Sequence, residues 1–409
     1  MKVPVPSPAA PAAEAAERIA ARLDVPRPAT DPWMDQSLAQ GAAGTALLHI
    51  ERAHTGRGTW QHAHRWVTAV AATQISAADT TGLFLGAPAV AFVLRAASGS
   101  DRYAEALAAL DEHVAELAHR RSRAAMARIG RGELSTFGEY DVFYGLTGIG
   151  AYLLRSAPEG NALESVLRYL VALTRPMPGE FEGRPGWWVS HDPHRGSSAH
   201  FAQGHGNLGV AHGITGPLLL LSQAQRRGVT VDGQAEAIET VCGHLERWCQ
   251  PGERGPWWPE HLTVHDLGEG VPRQPGPARP SWCYGTPGIA RAGQLAAAAL
   301  GDRDRQAFFE NALDLCLSDP EQMSRVTDAG LCHGWAGVYQ TVWRTARDAA
   351  TPGLDRHLAG LADRLVEHVD RRPGTDDFLE GDAGAALALM TAERGTDPES
   401  GWDSCLLID

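Results

Sequence analysis

The chain has 409 residues, 44% of them hydrophobic and 21% charged, with a net charge of −13. That length exceeds one ordinary core, so it calls for two domains or one repetitive architecture. The acidic balance, with no Lys/Arg block, excludes a phosphate- or nucleic-acid-binding surface, and no apolar run reaches the roughly 20 residues of a membrane span.

Residues 1–32 open with the Pro/Ala-rich stretch "MKVPVPSPAAPAAEAAERIAARLDVP", which lacks the apolar core of a secretory signal. It reads as a flexible lead followed by one amphipathic helix. From residue 33 onward a Gly-x-x-Gly turn runs repeatedly into an apolar stretch. The copies begin at Gly41, Gly86, Gly145, Gly213, Gly285, Gly334 and Gly381, the second carrying Ala89 in place of its second glycine. Between them lie segments such as "YAEALAALDEHVAELAHRRSRAAMARI", with apolar residues three and four apart. Repeats of this length are helix pairs that bury their faces against one another. The expected fold is all-α, an α/α toroid of seven inner and seven outer helices spanning residues 33–409. A closed ring is favoured over an open solenoid because the last copy has no polar capping helix and runs into the apolar "WDSCLLID". Segments 175–206 and 251–280, rich in Gly, Pro and aromatic residues, read as small loop-and-strand insertions.

Six cysteines occur, at 242, 249, 283, 316, 332 and 405, and without a secretory signal they do not imply a disulfide framework. Cys242 and Cys316 fall in helical apolar patterns and read as buried small hydrophobes. Cys283 in "SWCYGTPG" and Cys332 in "LCHGWAG" differ, because each sits two residues before its repeat's first glycine. His212, Tyr284 and His333 sit one before; Gln40 and Glu380 share that phase as weaker candidates, and Asp141 lies four before Gly145. In a closed ring, one phase of the repeat means one end of the ring, beside the N-termini of the inner helices. The positive potential there favours thiolate over thiol. Two thiolates and an imidazole are the ligands zinc prefers, and three protein ligands leave the fourth position open, as in catalytic rather than structural sites. Arg279, four before Cys283, is a candidate neighbour. His191, His194, His200 and His205, in the first insertion, are expected at the surface.

The motifs "WCYGTPG", "CHGWAG" and "AHGITG", with the repeated turns, resemble the lanthionine synthetase C-like (LanC) family from residue 33 onward, and specifically its free-standing class I lanthipeptide cyclases. The resemblance implies a toroid holding one zinc ion through Cys283, Cys332 and His333. It implies His212, Asp141, Arg279 and Tyr284 as the other active-site positions. The implied activity is addition of a peptide Cys thiol to a dehydroalanine or dehydrobutyrine of the same peptide, closing (methyl)lanthionine rings. His212, held by Asp141, would be the general acid, Arg279 would stabilise the enolate, and Tyr284 is the second proton donor. The implied partners are a dehydrated precursor peptide, a separate dehydratase and an export transporter, in the cytoplasm or peripherally in a membrane-associated complex. Glutathione-binding relatives share the zinc motifs and remain an alternative, as does a non-catalytic zinc scaffold. An α/α-barrel glycosidase would need sugar platforms, for which Trp187, Trp188, Trp257 and Trp258 are available.

Overall fold

The second glycine, present in six of the seven repeats, sets the geometry of the fold. In the computed structural model, which describes residues 9–409 apart from 28, 30, 99–100 and 372–373, the first turn of each following helix rides on the backbone entering it. A Cβ at Gly148, Gly288, Gly337 or Gly384 would collide with the carbonyl oxygen of Val142, Trp282, Leu331 or Phe378 respectively. The helices so started run Ala42–His54, Ala87–Ala96, Leu146–Ser156, Thr215–Arg226, Thr286–Leu300, Trp335–Asp348 and Asp382–Arg394. Each packs on the next and the last packs on the first, closing an inner ring of seven. These helices are buried almost all round, which is why their sequences read as continuous apolar and small residues.

Outside the first six inner helices lie Trp60–Val70, Ala104–Gly130, Asn161–Leu173, Gln234–Trp248, Arg303–Ser318 and Leu358–Arg371. Leu358–Arg371 is one-sided, burying only Leu361, Ala362, Leu365 and Val369, whereas Asn161–Leu173 is buried over most of its length. The seventh outer helix comes from the other end of the chain. Helix Ala9–Arg22 packs on Asp382–Arg394 and buries Ala12, Ala15, Ala16, Ile19 and Ala20. Arg22 pairs with Asp382, and His49 Nε2 donates to the carbonyl of Leu23 at 2.8 Å. The expected division at residue 33 therefore cuts through the ring. The last inner helix has no outer partner downstream, and the N-terminal helix covers its bare flank. Residues 1–8 of the expected lead lie outside the described residues.

After the last inner helix the chain turns into the ring's axis. Leu406, Leu407 and Ile408 are buried, and their carbonyls accept from Trp282 Nε1 (3.0 Å), Gln223 Nε2 (2.7 Å) and Arg291 Nη2 (2.7 Å). Asp403 takes a two-point ion pair from Arg344 at 2.7 and 2.9 Å. The two insertions meet in a short antiparallel ribbon, Gly206–Asn207 against His261–Leu262. Trp187, Trp188, Trp257 and Trp258 are all buried, Trp187 against His244 and Trp258 against Phe309 of the outer helices, so they offer no sugar platform. Among the described residues no helix is long and apolar enough to cross a membrane.

Because Ile19 is buried in the seam that closes the ring, Ile19→Ala is expected to cost about 2–5 kcal/mol. Urea unfolding should register this as an earlier midpoint, while the exposed Glu14→Ala stays within about 0.5 kcal/mol of the parent.

Candidate metal and acid–base site

Adjacent repeat turns are joined by backbone hydrogen bonds that run right round the ring. The N–H of Leu38 donates to Phe84 (3.1 Å), Phe84 to Phe143 (3.4 Å), Val142 to Ala211 (3.1 Å) and Val210 to Cys283 (2.9 Å). Cys283 donates to Cys332 (3.2 Å), Cys332 to Leu379 (2.9 Å), and Leu379 to Ala39 (3.1 Å), which closes the belt. The residue two before each first glycine thus lies on the belt. The residue one before it (Gln40, Leu85, Tyr144, His212, Tyr284, His333 and Glu380) lines a cavity of about 590 Å³ at that end of the ring.

Two adjacent turns bring the sulfurs of Cys283 and Cys332 and a ring nitrogen of His333 within 4.8 Å of one another. The Cys332 thiol, and then His333, hydrogen-bond to Cys283 and hold its thiol well below the ordinary range, while Cys332 is pushed up by the same partnership. Cys242 and Cys316 behave oppositely: burial pushes both thiols up to about 12, as inert core residues. Two sulfurs and an imidazole at this spacing are a donor set that could hold a metal ion.

Asp141 and His212 face each other across the next junction but one. The bond from Val142 to Ala211 sets the residues before and after it side by side, and His212 Nδ1 donates to Asp141 Oδ2 at 2.6 Å. Asp141 is fully buried, and its other oxygen accepts from the N–H groups of Tyr144 and Gly145, both at 2.7 Å. The carboxylate is thus locked by the helix start, and it in turn locks the imidazole. Phe137, Phe143 and Tyr144 enclose the His212 ring at 4.8, 5.1 and 6.3 Å between centres, leaving Nε2 for the cavity.

Arg279 also lines the cavity, and its Nε is buried without a hydrogen-bond partner among the described residues. Its Nη1 is 3.8 Å from Asp328 Oδ2, which is 3.7 Å from His333 Nε2. Tyr284 Oη accepts from Asn207 Nδ2 at 2.9 Å, and burial pushes its phenol well above the ordinary range. The ring of Tyr284 lies so close to Gly209 that any Cβ there would strike it. Asp328, Asn207 and Tyr144 are residues that sequence reasoning missed. A signal existed: Asn207, Arg279 and Asp328 all sit six residues before a repeat's first glycine, and Tyr144 sits one before.

Of the insertion histidines expected at the surface, His194 and His200 are exposed and His191 is half-buried. His205 is fully buried, because the bridge pairing Val189 with His205 draws it under the ribbon. Its Nδ1 donates to the carbonyl of His191 at 2.8 Å, and burial pushes its pKa down to about 4.

A family model described as "Lanthionine synthetase C-like protein" matches residues 32–407. The chain belongs to that family. One relative is the nisin biosynthesis protein NisC of Lactococcus lactis subsp. lactis, 26% identical over 263 residues, which are 62% of this chain and 61% of NisC. The chain thus spans less than two thirds of that relative. A solved structure described as nisin cyclase superposes over 97% of both chains with a TM-score of 0.83 at 20% identity, a likeness of fold. The family match begins after the N-terminal helix, so that helix is a ring element outside the family model.

After incubation with zinc the protein is expected to retain one ion per chain, and Cys332→Ala none, as read by elemental analysis of the desalted protein. His205 gives a pH expectation. Its pKa is ordinary, near 6.5, in the unfolded chain and about 4 when folded, so between those values the unfolded state binds more protons. Stability should therefore fall as pH drops from about 6.5 to about 4, and His205→Phe should flatten part of that slope in urea titrations.

Proposed function

We propose that the chain is a zinc-dependent lanthipeptide cyclase, joining a peptide Cys thiol to a dehydroalanine or dehydrobutyrine of the same peptide. The observation that carries this reading is that the Cys283–Cys332–His333 group and the Asp141–His212 pair open into one cavity. The two sulfurs and one imidazole, all within 4.8 Å of one another, fit zinc. When bound there, zinc would supply a Lewis-acidic charge that acidifies an incoming thiol, otherwise only a few per cent ionised at neutral pH.

The chain's own residues divide the remaining work. His212, with Nδ1 tied to Asp141, accepts the substrate thiol's proton at Nε2. The sulfur then bonds to the β-carbon as the Cα–Cβ double bond opens, and its electron pair moves onto the adjacent carbonyl oxygen. The guanidinium of Arg279, which lines the cavity, is the donor for that oxygen. His212 returns its proton to the α-carbon, so no proton is gained or lost overall. The Tyr284 phenol, kept protonated by burial, is a second donor to the same enolate. The substrate is a dehydrated precursor peptide, which requires a separate dehydratase acting on Ser and Thr, and an export transporter is a further partner.

Ring closure leaves peptide mass unchanged and removes one alkylatable thiol, so mass spectrometry after alkylation reads it directly. His212→Asn is expected to keep its zinc and lose at least about 100-fold in rate. A parental rate would remove His212 from proton transfer, and full zinc retention with normal closure in Cys283→Ala would sink the zinc assignment.

A further inference from the structure

A second cavity, of about 750 Å³, adjoins the catalytic one and shares Leu85 and Tyr144 with it. It lies between the ring and the first insertion, and its charged lining is unbalanced. Asp79 at its rim is already paired with Arg120 at 2.9 Å. Arg121 donates only to backbone carbonyls, those of Thr81, Gly138 and Tyr144, and no carboxylate of the described residues lies within ion-pair distance of it. Arg195 has neither an ion-pair nor a hydrogen-bond partner for its side chain among the described residues. Its guanidinium carbon instead lies 5.0 Å from the ring centre of Tyr144 and 5.9 Å from that of Phe137.

The backbone supports this presentation at a cost. Arg195 has φ of +56°, in the left-handed region that residues with a side chain seldom enter. Its N–H donates to the carbonyl of Asp192 at 3.1 Å, and the Asp192 carboxylate accepts from His194 N and Ser198 Oγ at 2.9 and 2.7 Å. A turn tied this tightly holds one strained residue and projects its cation over two aromatic rings. The same two rings enclose His212. Asp141, Glu139 and Asp79 are near enough to act on Arg121 electrostatically though none pairs with it, so in a chain of net charge −13 Arg195 is the cavity's unpaired cation.

We propose that this cavity binds a carboxylate of the peptide substrate, flanking the reacting residues, with Arg195 as its ligand and Arg121 adding charge. The inference rests on the cyclase reading for the identity of the peptide. A planar guanidinium matches a carboxylate in two-point fashion. Arg195 is 5.0 Å from Tyr144 and Tyr144 is 6.3 Å from His212, so about three extended residues, at roughly 3.4 Å each, connect the two sites.

The test uses the full-length, zinc-loaded protein and synthetic peptides holding one Cys and one dehydroalanine. An Asp stands three residues from the dehydroalanine, and a twin carries Asn. A third peptide ends in a free carboxylate at that position, and a fourth in its amide. The parent is expected to favour a carboxylate peptide over its neutral twin about tenfold in kcat/KM, mostly through KM, and Arg195→Gln should treat the twins alike. Whichever carboxylate pair shows the preference identifies a side-chain or a terminal source. Calorimetry with unreactive twins, Ala replacing dehydroalanine, reads the same preference as binding. Loss of ring closure with that binding preference intact would refute the cyclase reading and leave the carboxylate site standing. Equal binding of the twins by the parent, or a preference surviving in Arg195→Gln, would overturn the site.

Discussion

The closed belt of backbone hydrogen bonds at the turns is the constraint on which everything else at this end of the molecule depends. A helix pair alone says nothing about which residue of one repeat meets which residue of the next. The belt does, because each of these peptide groups is committed to one acceptor on the neighbouring turn. Cys283 and Cys332 meet because the amide of one bonds the carbonyl of the other. Asp141 and His212 meet because they flank another such bond. The chemistry-bearing side chains are placed by main-chain geometry, which substitution of side chains elsewhere scarcely disturbs.

The site is thereby partitioned. On one side sits a group of two sulfurs and an imidazole, and on the other an imidazole clamped by a buried carboxylate. Between them lie Arg279 with an orphaned Nε and Tyr284 anchored by Asn207. Separation matters, since a base close enough to compete for a metal ion would lose its proton-transfer role. The floor is set from below: the residue before Cys283, Trp282, donates to the carbonyl of Leu406 in the segment that fills the axis.

Much of this was legible in the sequence because it is periodic. Seven glycine turns, the two-helix unit and the phase of Cys283, Cys332, His333 and His212 are all visible as repetition, and repetition is the part of a fold that a one-dimensional reading captures. The remainder is non-local. Nothing in the pattern of Ala9–Arg22 names its partner, because an amphipathic stripe records only that a face is buried, not against what. His205 is buried by its bridge to Val189, a pairing that no periodicity in the insertion records. Asp328 and Asn207 escaped notice for a different reason. They share a phase with Arg279 but not a chemical type, so the repetition there is of position and not of residue.

The ring is sealed by a helix taken from the opposite end of the chain. In synthesis this helix is made before the ring it seals, and Ile19 and its apolar neighbours wait until Asp382–Arg394 has formed. Holding them apart costs little in equilibrium free energy, since loop-closure entropy grows only with the logarithm of length. Kinetically the arrangement is a latch. A latch that recognises a surface rather than a neighbour in sequence can engage that surface on any copy, so this seam is where two chains would exchange helices and seal each other's rings.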